Sequence, residues 1–94
     1  MKNVAKVVGA SGENGGRSIV EETLSSYLNE LGGRILSLRK RSGMSQQALA
    51  DAANLDRTYI SAVEHGKQNV TVGAIVKLST ALKIPLKELL GCMN

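Results

Sequence analysis

The stretch SQQALADAANLDRTYISAVEHG, Ser45–Gly66, holds two short helical patterns joined by a tight turn. Ser45 is an N-cap residue, and Leu49, Ala50 and Ala53 form one apolar face behind it. Asn54-Leu55 turns the chain. Asp56 stands at the next N-cap, a second helix runs from Arg57 to about His65, and Gly66 stops it. Ala50 and Ala53 are small, so the two helices can approach closely and cross steeply. That is the arrangement of a helix-turn-helix.

The second helix has only two clear apolar anchors, Ile60 and Val63. The rest of its surface carries Arg57, Thr58, Tyr59 and Ser61. A helix with so little to bury and so many hydrogen-bonding groups suits a helix laid in the DNA major groove. Arg57 can reach guanine O6 and N7 with both arms of its guanidinium. Thr58 and Ser61 can donate or accept, and the Thr58 methyl can meet a thymine methyl. At the start of the preceding helix, Gln46 and the backbone N–H groups can hold phosphate.

Outward from this pair the chain reads as short helices with short connections. Ser18 and Glu21 have capping-box spacing. Leu24, Leu28, Leu31, Ile35 and Leu38 then recur at helical intervals, an amphipathic stripe. Gly32-Gly33 interrupts it at about 1 kcal/mol per glycine relative to alanine. The reading is therefore one helix over about 18–30, a break or kink at the glycines, and a second helix to about Arg41, ended by Ser42-Gly43. Beyond Gly66, KQNV is a loop and Thr71 caps a helix facing inward through Ile75, Leu78 and Leu82. Pro85 opens a last short helix with Leu86, Leu89 and Leu90, and Gly91 closes it. Residues 1–17 contain GASGENGG, the composition of a flexible linker. No lysine follows in phosphate-loop spacing. NVAKVV can form a strand only if a partner edge exists. The expected architecture is all-α: a compact bundle of about five short helices over 31–94, an additional helix over 18–30 and a flexible arm over 1–17.

The 94 residues suffice for one core. That core must be aliphatic, because two tyrosines are the only aromatics. The formal net charge is +4 and it is unevenly placed. Residues 1–30 hold three basic and four acidic side chains, net −1, whereas residues 31–94 hold nine against four, net +5. An excess of this sign in the part that carries the helix pair points to nucleic acid as partner. The single cysteine, Cys92, allows no intrachain disulfide and fits a cytoplasmic setting. The amino-terminal segment is broken by Lys6 and is too short for a signal peptide. No apolar run approaches the roughly 20 residues of a membrane span. One histidine, one cysteine and no paired carboxylates on a shared helix face leave no catalytic residues, metal ligands, cofactor site or small-molecule site to assemble.

Residues 31–91 resemble the phage-repressor/Cro-type helix-turn-helix family of Xre-like transcriptional regulators. The resemblance rests on Ser45-Gln46, Leu49-Ala50, Ile60-Ser61, Glu64 and Gly66. Within that family, LDRTYISAVEHGKQN looks most like the controller proteins of restriction–modification systems. The resemblance implies a lambda-repressor-like domain that binds double-stranded DNA as a homodimer at a near-palindromic operator. It implies base contacts from Arg57, Thr58 and Ser61, with Ala62 at the family's next reading position, where alanine offers only a methyl. It implies phosphate contacts from Gln46, Tyr59, His65 and Asn69, and Gln47 and Gln68 are grouped with them. Gln68 stands where controllers often carry arginine. Tyr59 reads equally as a packer at the edge of the core. Together with helix geometry, the resemblance pairs Arg39 with Glu64 as a structural ion pair. One chain supplies one reading helix, so a two-fold dimer is expected, with Leu86, Leu89 and Leu90 as its surface and Leu24/Leu28/Leu31 as the rival. The competing function is an antitoxin-like module that neutralises a protein partner through residues 1–30.

Overall fold

A computed structural model describes residues 18–90. Among them are five helices: α1 (Ile19–Arg41), α2 (Gln46–Ala53), α3 (Arg57–Glu64), α4 (Val72–Leu82) and α5 (Leu86–Leu90). The described residues are all-helical, as the sequence patterns require. The arm over 1–17 and the stop at Gly91 lie outside them.

Local chemistry sets most helix starts. Ser18 Oγ accepts from Glu21 N at 2.9 Å while Glu21 Oε1 accepts from Ser18 N at 3.3 Å, so the capping box forms. Ser45 Oγ accepts from Ala48 N at 3.0 Å, and Thr71 Oγ1 from Ala74 N at 3.1 Å. Asp56 occupies the N-cap of α3, but its side chain makes no capping bond.

The first four helices all end in the same way. The backbone N–H of Met44, Leu55, Lys67 and Ile84 each donates to the carbonyl five residues earlier, at 2.8–3.1 Å. Each closure needs the preceding residue in the left-handed region. Gly43 (φ 73°), Asn54 (57°), Gly66 (71°) and Lys83 (59°) supply it. Three of these are the expected glycine or asparagine. Lys83 carries a Cβ penalty of about 1 kcal/mol that the surrounding packing must offset.

The expected break at Gly32-Gly33 does not occur. α1 runs unbroken for 23 residues, about 35 Å at helical rise. Two glycines cost about 2 kcal/mol of propensity. Continuing the helix buries Ile35 fully and packs Leu31 and Leu38 against the core, and each such side chain is worth about 1.5–3 kcal/mol. Gly32 also has a positive use. A Cβ there would meet the carbonyl oxygens of Val63 and Glu64, so its absence lets α1 lie directly on the backbone of α3. The additional helix at 18–30 is thus the first half of the first core helix, not a separate element.

α1 packs on α3 and α5, α2 on α3 and α4, and α4 on α5. The centre is aliphatic: Ile35, Leu49, Ile60, Val63, Leu78 and Leu89 are all fully buried, with Ala50 and Ala53 allowing α2 and α3 to meet. Leu89, expected on a dimer surface, is 0% exposed. The short α5 folds back between α1 and α4, and Leu89 is the side chain it plants in the core. Leu86 remains exposed. Leu90 lines an apolar groove of roughly 150 Å³ with Leu24, Tyr27, Leu28 and Leu31 of α1, Val70, and Ile75 of α4.

Candidate nucleic-acid interface

α3 presents one polar arc. At about 100° per residue, Arg57, Ser61, Thr58 and Ala62 span an arc of about 140°. Ile60 and Val63 point the opposite way into the core. Arg57 and Thr58 are exposed, and Ser61 and Ala62 are half-buried at the rim. The helix is fixed from behind by packing, so its outward side chains are carried on a rigid element.

Behind the arc lies a buried ion pair. Arg39 Nε donates to Glu64 Oε2 at 2.6 Å and Nη2 donates to Glu64 Oε1 at 3.0 Å, a two-armed contact between α1 and the end of α3. Its third donor, Nη1, reaches the carbonyl of Met44 at 2.9 Å and ties in the turn before α2. The Glu64 side chain is 2% exposed. The hydrogen bond to Glu64 holds the guanidinium more firmly protonated than usual; burial opposes this, and the carboxylate charge adds to it. With charge matched and donors used, a buried pair of this kind is structural.

The pair has a further member that the sequence did not disclose. Gln46 Nε2 donates to Glu64 Oε1 at 3.0 Å. This turns Gln46 Oε1 outward, where Arg57 Nη1 donates to it at 3.4 Å. One chain of contacts therefore runs Arg39–Glu64–Gln46–Arg57 from the core to the tip of the polar arc. Both ends of the Gln46 amide are engaged within the protein, and its orientation is set by a buried carboxylate.

The remaining candidates are dispersed. Gln47 Nε2 donates to Asp51 Oδ1 at 2.9 Å along the exposed face of α2. Tyr59 is half-buried and packs against the core edge, beside Asn54, Leu55 and Asp56. His65 is exposed at the C-cap of α3, its Nδ1 2.8 Å from the Ser61 carbonyl oxygen, a contact that the Nδ1–H tautomer makes as donor. Gln68 is half-buried in the loop, and the exposed Asn69 borders the groove beside Arg34. α1 also supports this loop, because Asn29 lies directly over Gly66, where a Cβ would strike its carboxamide. Neither the contact of Gly32 with α3 nor that of Asn29 with the loop at Gly66 carried a sequence signal, since helical periodicity says nothing about which distant segment a residue meets.

Among the described residues no group of three His, Cys, Asp or Glu side chains could hold a metal, and no helix is long and apolar enough to cross a membrane. No buried side-chain polar atom among them lacks a hydrogen-bond partner.

Comparison with known proteins gives the same outline. A family model described as Helix-turn-helix matches residues 35–89. Control protein C.MunI from Mycoplasma sp is 42% identical over 59 residues, which is 62% of this chain and 80% of that protein. Control protein C.BamHI from Bacillus amyloliquefaciens is 43% identical over 60 residues, 63% of this chain and 74% of that one. The solved structure of the restriction-modification controller protein C.AhdI from Aeromonas hydrophila superposes with a TM-score of 0.65 at 45% identity, covering 66% of this chain and 94% of that chain. The controller protein C.Esp1396I, solved as a tetramer in complex with its natural 35 base-pair operator, gives a TM-score of 0.63 at 33% identity, covering 68% and 88%.

Proposed function

The chain belongs to the phage-repressor/Cro type of helix-turn-helix proteins and resembles restriction–modification controller proteins, and on that premise we propose that it is a transcriptional regulator that binds double-stranded DNA sequence-specifically, as a homodimer at a near-palindromic operator. The observation that carries this reading is the outward arc of α3, with Arg57 and Thr58 exposed and Ser61 and Ala62 half-buried at its rim, backed by the buried Arg39–Glu64 pair. The relatives named above are control proteins, which supports a regulatory reading. Geometry supports a homodimer: two reading helices must lie about 34 Å apart to enter successive major grooves on one face of B-DNA, and the described residues hold one such helix.

In this reading Arg57 takes a guanine, and Thr58, Ser61 and the Ala62 methyl contact neighbouring base edges. Tyr59, His65, Gln68, Asn69 and Gln47 border the backbone. Gln46 acts chiefly through Arg57, because both ends of its amide already have partners.

Sites selected from random DNA should therefore be two-fold symmetric, with a guanine at one symmetric position of each half-site. Arg57→Ala should cost roughly 1–3 kcal/mol per recognised base pair and flatten discrimination at that position alone. If the variant keeps full discrimination on a panel of substituted sites, direct readout by Arg57 is wrong. Across a salt titration, log affinity should fall linearly with log salt, with a slope of about −0.9 per phosphate neutralised. A flat response would remove the electrostatic part of the reading.

A further inference from the structure

The sequence holds one apolar motif that the DNA reading leaves unused. Val4, Val7 and Val8 lie in the amino-terminal segment, outside the described residues. Their spacing puts all three within an arc of about 100° on a helix, with Lys2 and Lys6 on the far side. On a strand, Val4, Lys6 and Val8 would share one face and Val7 would take the other. Only the helical arrangement separates apolar from charged side chains. Among the described residues there is also no strand whose edge the segment could join.

The folded chain offers a surface of matching character. The apolar groove is lined by Leu24 and Leu28 of α1, by Val70, by Ile75 of α4 and by Leu90 of α5. Leu24 is 40% exposed, and Tyr27, also on the lining, is 53% exposed. Glu30 and Arg34 both stand on the lining, so the rim carries both signs and charge does not select the occupant.

Chain length selects it. Residues 9–17 separate the valines from Ser18, and four of these nine residues are glycine. A linker of that composition spans about 15–18 Å on average. Along α1, Leu24 lies about 9 Å and Leu31 about 20 Å from Ser18, so reach and span coincide. A tether this short sets an effective concentration in the millimolar range, which favours the valines over a second copy or a separate partner at micromolar levels. We propose that residues 4–8 dock in the groove of their own chain as a short amphipathic turn, with Val4, Val7 and Val8 facing inward. The contact lies ahead of the segment that the family model matches, residues 35–89, and stands apart from the DNA reading.

The test is nuclear magnetic resonance on the full chain with isotope-labelled methyl groups. Nuclear Overhauser contacts should join the methyls of Val7 and Val8 to those of Leu28 and Ile75. They should survive dilution and be missing from isotope-filtered spectra of mixed labelled and unlabelled chains, because they arise within one chain. Val4→Ser/Val7→Ser/Val8→Ser should abolish them and quicken amide exchange over residues 22–28 about 10-fold, the factor for an effective concentration about ten times the intrinsic dissociation constant. Lys6→Val with Val7→Lys keeps the composition and breaks the face, and it should do the same. Circular dichroism should show the helices intact in both variants. Contacts seen only between labelled and unlabelled chains would put a second copy in the groove and overturn the proposal. Contacts from the Met93 methyl in place of the valines would overturn it in favour of the carboxyl-terminal residues. Unchanged exchange in both variants would overturn docking itself, and contacts retained after the Lys6–Val7 exchange would overturn the helical seating.

Discussion

Replacing Glu64 by alanine is expected to cost about 3–5 kcal/mol of folding stability, because it leaves the Arg39 guanidinium buried without its counter-charge. A domain of this size has about 5–15 kcal/mol in total, so the variant should sit near the unfolding threshold. At about 4–8 °C per kcal/mol, the melting temperature should drop by at least about 12 °C. Urea denaturation of the single variants and of Arg39→Met/Glu64→Leu completes the cycle. The apolar double variant should recover most of the loss, since the large penalty comes from the orphaned charge and not from the absence of attraction. A loss in the double variant equal to the sum of the two single losses would show that the two side chains act independently. A second effect should appear on DNA. Without Glu64, the Gln46 amide loses the partner that fixes its orientation, and Arg57 loses its fixed neighbour. Discrimination at the Arg57 base pair should weaken in Arg39→Met/Glu64→Leu even where folding is restored.

The adjacent glycines of α1 should respond in opposite directions. Both are helical, so alanine gains about 1 kcal/mol of propensity at either position. At Gly33 a Cβ meets nothing within 4 Å. Gly33→Ala should therefore stabilise by close to that full amount. At Gly32 the Cβ would strike the backbone oxygens of Val63 and Glu64, which cannot rotate away as a side chain would. Overpacking against backbone costs about 1–3 kcal/mol or more, and here α1 must lift from α3. The lift also stretches the Arg39–Glu64 contact seven residues further along α1. Gly32→Ala should therefore lose about 2 kcal/mol net, and the two variants should differ by about 3 kcal/mol in chemical denaturation. If both glycines tolerate alanine equally, the close approach of α1 to α3 is not a stabilising contact.

These glycines mark the border between what the sequence states and what only the folded chain decides. The helical starts were legible because a serine or threonine oxygen reaches a backbone N–H two or three residues on, a contact contained within one turn. The polar arc of α3 was legible for the same reason: with Ile60 and Val63 inward, a rotation of about 100° per residue fixes where Arg57, Thr58, Ser61 and Ala62 face. Glycine or asparagine announced three of the four left-handed helix ends. Lys83 did not, because a lysine adopts that conformation only when neighbouring packing compensates it.

What required tertiary structure was every contact between residues distant in sequence. Local propensity places a break at Gly32-Gly33. The break is absent because α3, more than 30 residues later, supplies a backbone surface on which a missing side chain is an advantage. Composition and periodicity likewise made Leu86, Leu89 and Leu90 equivalent. Only the return of α5 between α1 and α4 separates them, burying Leu89, leaving Leu86 in solvent and turning Leu90 to the groove. Gln46 read as a phosphate ligand from its place at a helix start, yet the carboxylate that orients it comes from the far end of the next helix. Sequence alone thus determined the helix starts and the face that α3 presents, since these depend on bonds within a few residues. The tertiary structure decided which of those faces are already covered and which remain open, because covering depends on contacts between residues distant in sequence.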